Sequence, residues 1–459
     1  MNGSWQGGEA LPLPACDEIV TQGEDDAQRH YERNHRFRAR CAKGSQRPGC
    51  HLCQTLRLDS LDMSDYGRRR PPPMPGFPPL RVVHVLDSLA PGGLENGVVN
   101  VAQRLHGQGF EIHAACLRFK GDFASRMPDE SKVVVLGKGH GFSLKATIEL
   151  ARYLRRVRAD VVHTHNLGTL IYAVLATLGG RVHPIVHGEH GQLQTPDLTP
   201  KRLRQRRWLF RLCRRLHVVS SSVRDNLVDL HLCGPEQVIV TPNGVDCERY
   251  SPAGDIGSAR ERLGFGRDDT VIGIVGRLVA LKRHHMLLDA FAKLAPTMPQ
   301  LRLLVVGDGG ADRDDIVQAM SDHPFADRIT WAGHQNDLRP YYQAMSLLAA
   351  PSEIEGLSNA VLEAMACGVP VLAHSACGNA EVIEDSTNGY LRELDTADIL
   401  ATELANALTD STRLAKCSHE ARASVMQRFS MEAMISTYQQ LYRAGAGVTS
   451  ENVAATARC

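Results

Sequence analysis

Long hydrophobic runs are what this chain most plainly lacks. No stretch of about 18 apolar residues occurs in it, so no membrane-spanning helix is expected. The opening MNGSWQGGEA carries neither a basic region nor an apolar core, so no secretory signal is expected either. Net charge is nearly absent: the formal value is +1, which argues against nucleic acid as a partner. The 12 cysteines follow no framework, and Cys116, Cys213 and Cys367 sit inside apolar segments, the habit of a reducing compartment. Cys459 ends the chain rather than standing four from its end, so it is no prenylation signal. A cytoplasmic protein is the expectation.

What is present is charge unevenly spread. Between residues 80 and 250 Lys and Arg outnumber Asp and Glu 23 to 15, whereas from 251 onward the acids lead 26 to 18. Halves of opposite sign suggest that each faces a different partner. Residues 1–79 show no period of two or 3.6 and end in RRRPPPMPGFPP; they read as a disordered extension. Within them Cys50 and Cys53 have zinc-ligand spacing, but no matching pair follows, so no metal site is assigned.

From residue 80 apolar strands alternate with helical segments, which calls for an α/β fold with parallel sheets and helices on both faces. RVVHVLDSL (81–89) reads as a strand, Gly92 and Gly93 as a turn, and the next segment as a helix. The turn lacks the G-x-G-x-x-G fingerprint, yet strand, glycine turn and helix make a phosphate-loop arrangement. Further strands at 160–166 and 183–191 set His165 and His190 at strand ends, where such sheets bind ligands; His187 is the alternative to His190. KRLRQRRWLFRLCRRLH (201–217) holds eight Lys or Arg and no acid. As one basic helix with Trp208 and Phe210 it suits an anionic membrane surface, or else it packs one side on the sheet. The domain boundary falls at 251–257, giving domains at 80–250 and 251–429. In the second, TVIGIVGRL (270–278) is a strand ending in Gly276 and Arg277, with Lys282 following on the loop.

PSEIEGLSNAVLEAMACGVP (351–370) turns from loop to helix, with seven residues between Glu355 and Glu363. Gly356 permits the turn, Ser358 and Asn359 suit an N-cap, and Gly368 and Pro370 stop the helix. Such a helix start offers free N–H groups and the positive end of a dipole to a phosphate. The string resembles the Glu-x7-Glu motif of the retaining GT-B glycosyltransferases, family 4 (group 1). The resemblance covers about residues 80–445 and is strongest over 270–390. H-V-L-D-S-L-x-x-G-G-L-E-N-G-V-V-N, from His84, is most similar to bacterial sugar transferases of exopolysaccharide synthesis.

The resemblance implies two doubly wound Rossmann-like domains facing each other across a cleft, a helix at 430–445 crossing back to the first, and a tail at 446–459. It implies that Glu355 contacts the donor sugar and Glu363 the ribose, with Gly356, Leu357, Ser358 and Asn359 at the donor. Gly276, Arg277 and Lys282 would grip the diphosphate, two cations offsetting its charge. The loop holding His334 would line the nucleobase pocket. Gly92, Gly93, His165 and His190 would face the cleft near the acceptor and the leaving phosphate. The implied reaction moves a sugar from a UDP- or GDP-sugar to a glycan or lipid-linked acceptor, with retention and no metal, at the inner face of the membrane. Glu355, Arg277, Lys282 and His190 would be its catalytic groups. No second carboxylate is placed as a covalent nucleophile. Two alternatives stay open: a sugar-nucleotide 2-epimerase of the same fold and a catalytically silent GT-B scaffold. Two residues depart from the pattern, since Arg283 and Cys377 stand where the family has glycine.

Overall fold

The Val-, Ile- and Leu-rich runs become strands of two sheets in the computed structural model, which describes residues 78–178, 183–193, 197–375 and 378–447. The first sheet holds β1 (Leu80–Leu86), β2 (Phe110–Cys116), β3 (Val133–Val135), β4 (Val161–His165), β5 (Ile185–Glu189), β6 (Arg215–Val218) and β7 (Val238–Val240). The second holds β8 (Thr270–Val275), β9 (Leu301–Val306), β10 (Ile329–Gly333), β11 (Leu347–Ala350), β12 (Val371–His374) and β13 (Tyr390–Arg392). Their orders are β3-β2-β1-β4-β5-β6-β7 and β10-β9-β8-β11-β12-β13, with every pair parallel. Each sheet is doubly wound, and its order reverses beside its first strand. A crevice opens at that switch point, outside the carboxyl ends of the strands. The loops after β1, β4, β8 and β11 flank the switch points, and the loop after β5 lies next to that after β4.

Among the helices are α1 (Gly93–Leu105), α2 (Pro200–Phe210), α3 (Asn359–Ala366) and α4 (Met431–Gly445). Helix α4 starts where the Ser430 side chain accepts the Ala433 N–H. It lays Met431, Met434, Ile435, Tyr438, Leu441 and Tyr442 against Val82, Leu86, Val98 and Val99 of the first lobe. The end of the chain thus crosses back and covers one face of the N-terminal sheet. Backbone bonds from Val245 to Phe429 (2.9 Å) and from Met431 to Val245 (3.0 Å) hold its entry. The described residues form one compact unit, and a continuous core runs through Val219, Val245, Tyr250 and Leu357.

The basic stretch 201–217 is not one helix. Helix α2 ends at Phe210, and Arg215 opens β6. The core decides this, because Leu209, Phe210 and Leu216 are all buried, and a helix continued past Phe210 could not deliver Leu216 to the sheet. Arg206 is buried as well, paired with Glu189 at 3.3 Å and Asp197 at 3.0 Å. Among the described residues no helix is long and apolar enough to cross a membrane. Residues 1–77 with Cys50 and Cys53, Cys377, and the tail from 448 lie outside the described residues.

Candidate active site

The loops after β8 and β11 are tied together by the Glu353 N–H, which donates to the Leu281 carbonyl at 3.0 Å. That bond brings Lys282 to Glu355, and the ammonium donates to the Glu355 carboxylate. Both side chains keep about a fifth of their surface exposed (23% and 21%), so the pair borders the crevice rather than the core. Arg277, on the same loop as Lys282, lies within electrostatic reach of Glu95 on α1, whose carboxyl is pushed up by burial despite that cation. Arg283 takes φ +55°, the left-handed conformation that glycine adopts freely. Its guanidinium donates to the Leu394 carbonyl at 2.8 Å, which helps hold it there. Gly276 closes β8 with its N–H on the Val306 carbonyl at 3.0 Å.

Beyond Glu355 the backbone passes close under the first lobe. A Cβ on Gly356 would lie 2.3 Å from the His190 carbonyl oxygen. Gly356→Ala should therefore cost about 1–3 kcal/mol through overpacking; an unchanged thermal midpoint would show that the lobes do not meet there. The Leu357 carbonyl accepts from the Asn243 amide at 3.0 Å. Ser358 occupies the N-cap position of α3 without a side-chain cap bond, and the Asn359 amide reaches across to the Gly93 carbonyl at 3.5 Å. The first turn of α3 thus presents N–H groups that no side chain covers, the arrangement that attracts a phosphate. Glu363 accepts the Tyr342 hydroxyl at 2.9 Å. Burial pushes its carboxyl up to about 7, against hydrogen bonds from Tyr342 and Tyr250.

On the N-terminal side, Gly92 precedes α1 in an extended conformation, and Gly93 faces Asn359. His190 stands just past β5 and is half-buried. His165 is only 2% exposed, with Nδ1 on His190 (2.8 Å) and Nε2 on His84 (2.9 Å). It stands behind His190 rather than on the crevice wall. His187 is buried between Thr164 and Glu189. His334 is exposed on the loop after β10, in electrostatic reach of Asp308. Among the described residues, His84, His163 and His165 lie close enough together to share a metal ion. Their ring nitrogens are committed to one another, to Tyr442 and to further histidines, so hydrogen bonds account for the grouping.

Several residues here escaped the sequence reading. Tyr342 left no local signal. The histidines left one: His163 and His165 are two apart in a strand and so share a face.

Residues 91–249 match the model of Glycosyltransferase Family 4, and residues 255–424 match that of Glycosyl transferases group 1. The UDP-Gal:alpha-D-GlcNAc-diphosphoundecaprenol alpha-1,3-galactosyltransferase of Escherichia coli is 26% identical over 313 residues, 65% of this chain and 79% of that protein. The D-inositol 3-phosphate glycosyltransferase of Stackebrandtia nassauensis is 37% identical over 210 residues, 43% of this chain and 46% of that protein. The crystal structure of Anabaena Alr3699/HepE in complex with UDP has a TM-score of 0.70 at 23% identity, covering 79% of this chain and 99% of that one. Sucrose-phosphate synthase from Thermosynechococcus elongatus gives 0.69 at 20% identity, covering 81% and 100%. With two facing Rossmann-like lobes and both family models matched in order along it, the chain belongs to the GT-B glycosyltransferases of family 4, group 1.

Proposed function

We propose that this glycosyltransferase moves a sugar from a nucleoside-diphosphate sugar to a hydroxyl of a glycan or lipid-linked acceptor, with retention at the anomeric carbon. One observation carries the reading. Lys282 and Glu355 meet at the crevice, on the loop of Arg277 and just before the uncapped start of α3. A diphosphate seated there meets two cations and a helix start, and a sugar attached to it meets the carboxylate.

As the bond from C1 to the phosphate oxygen stretches, negative charge grows on the diphosphate. Arg277, Lys282 and the N–H groups of α3 stabilise it in fixed positions. Glu355 aligns the sugar hydroxyls and holds Lys282 in place. The acceptor oxygen forms its bond to C1 on the face the phosphate leaves, and its proton passes to the departing phosphate oxygen. Glu363, with Tyr342 behind it, receives the ribose hydroxyls. His190 closes the opposite wall as a donor to the sugar or to a phosphate oxygen.

Uridine is favoured by two names: the E. coli relative is a UDP-Gal enzyme, and the Anabaena structure holds UDP. The diphosphoundecaprenol in the E. coli enzyme's name favours a lipid-linked acceptor. Trp208 and Leu212, 55% and 44% exposed among the cations of α2 and the turn after it, suit contact with an anionic membrane. We propose exopolysaccharide or cell-surface glycan synthesis as the setting of the activity.

Thermal shift with UDP, GDP and ADP tests the donor. A nucleotide at 100 times its Kd adds about 2.7 kcal/mol of stability. A shift with UDP that vanishes in Lys282→Ala is the expected result; no shift with any of the three overturns the donor reading.

A further inference from the structure

Five imidazoles and one phenol form a single hydrogen-bonded relay beneath the crevice. His190 Nε2 and His165 Nδ1 lie 2.8 Å apart, and His165 Nε2 and His84 Nδ1 2.9 Å. His84 Nε2 lies 3.0 Å from the Tyr442 hydroxyl, which lies 3.1 Å from His163 Nδ1. His163 Nε2 lies 2.8 Å from His217 Nε2, where the relay ends. The members come from β1, β4, the end of β5, β6 and α4. All but His190 are at most 2% exposed. The backbone makes room for them: a Cβ on Gly188 would lie 2.5 Å from His217 Nε2 and 3.1 Å from His190 Nε2.

Burial holds every ring neutral. It pushes His84 down to about 3 and His190 to about 4, and it holds His163, His165 and His217 well below the usual imidazole range, with neighbouring imidazoles adding to it. A neutral imidazole has one N–H and one bare nitrogen, and a phenol has one hydrogen. Each link therefore needs a donor on one side only, and once one link has a direction all the others follow. Two polarities exist. In the first, His217 Nε2–H donates to His163, His163 Nδ1–H to Tyr442, Tyr442 to His84, His84 Nδ1–H to His165, and His165 Nδ1–H to His190 Nε2. His190 is then left with its N–H at Nδ1. In the second every donation is reversed, and Nδ1 of His190 is bare. The dead end separates the two. His217 Nδ1 has no partner among the described residues. The first polarity leaves it a lone pair, whereas the second leaves it a buried N–H, and orphaned donors are the rarer of the two.

We propose that this relay sets the tautomer of His190, fixing its Nδ1 as an uncharged N–H available in the crevice. His165, His84, Tyr442, His163 and His217 are positioning residues, acting on the transfer site through His190. Such an N–H fits a sugar hydroxyl or a phosphate oxygen and needs no protonated ring. The other groups around His190 are Glu189 and His187 on β5 and His217 on β6; Arg206 of α2 neutralises Glu189. The consequence for catalysis rests on the transferase reading; the tautomer does not.

The test is Tyr442→Phe, which cuts the relay at its middle. Tyr438→Phe is the control, since Tyr438 packs on the same rings without belonging to the relay. Nitrogen-15 shifts of ring-labelled full-length protein, with His190 assigned by its loss in His190→Gln, should show wild-type His190 in the Nδ1–H form alone. Tyr442→Phe should give a mixture of tautomers and Tyr438→Phe no change. In transfer assays Tyr442→Phe should lower kcat about tenfold, the worth of one hydrogen bond. Donor KM should hold, and the loss should vanish in a His190→Gln background. A wild-type His190 in the Nε2–H form overturns the proposal, even if Tyr442→Phe fails to fold. So does an equal kcat loss in both backgrounds, or a stoichiometric divalent ion found by elemental analysis on His84, His163 and His165.

Discussion

Lys282→Ala should lower kcat/KM by roughly 10²–10³-fold, the range for removing one preorganised group that stabilises developing charge. The structure makes this loss larger than that of an ordinary surface lysine. Lys282 is the partner of Glu355, so on the proposed reading its removal takes a cation from the diphosphate and also leaves a carboxylate unpaired beside it. Both effects disfavour the departing anion. Arginine is a poor replacement, because a planar fork does not occupy the place of a compact ammonium. Glu355→Gln separates the two roles. It should leave UDP binding nearly intact, since UDP carries no sugar for Glu355 to touch, and still depress kcat. Calorimetry with UDP alongside initial rates checks this. If UDP binding collapses equally in both variants, the division between sugar and diphosphate contacts is wrong.

Acid should unfold the protein between pH 6.5 and 5. The five relay histidines are neutral in the fold, with His190 pushed down to about 4, His84 to about 3 and the other three well below the usual range. In the unfolded chain each takes a proton near pH 6.5. Below that pH the unfolded state binds more protons, so stability falls as pH falls, until the folded-state values are reached. At pH 5 His84 and His190 each cost about 2 kcal/mol, and the other three rings add to the loss in the same direction, a large share of a domain's stability. Glu363 works the other way. Its carboxyl, raised to about 7, regains a proton in the fold as pH drops toward 4.5 and returns part of the loss, one group against five. Thermal midpoints at pH 7.5, 6.5 and 5.5 decide the matter; a flat profile would show that the rings accept protons within the fold.

Much of this molecule is legible along the chain. Alternating apolar runs and helical segments call for parallel sheets, and the strand orders realise the doubly wound form. The loop-to-helix string around Glu355 marks a helix start because capping and breaking residues are local signals. Arg283 is legible only by contrast: the resemblance expects glycine there, and the arginine takes a φ of +55° with its guanidinium anchored on the Leu394 carbonyl. The stretch 201–217 misled because its eight cations carry no period, so nothing in them marks where a helix gives way to a strand. Burial of Leu216 marks it, and burial is a property of the packed sheet.

The sequence by itself determined the class of fold, the family, the loop of Arg277 and Lys282 and the loop-to-helix segment of Glu355 and Glu363. Tertiary structure alone decided that Lys282 meets Glu355, that Asn359 reaches Gly93, and that His190 is backed by histidines from three other strands and a tyrosine from the last helix. The reason is physical. Periodicity, capping and turn chemistry act between residues a few positions apart, and the chain displays them directly. A contact between residues 73 or 358 positions apart depends on which strand ends converge when two sheets close, and that convergence is set by the packing of the whole core.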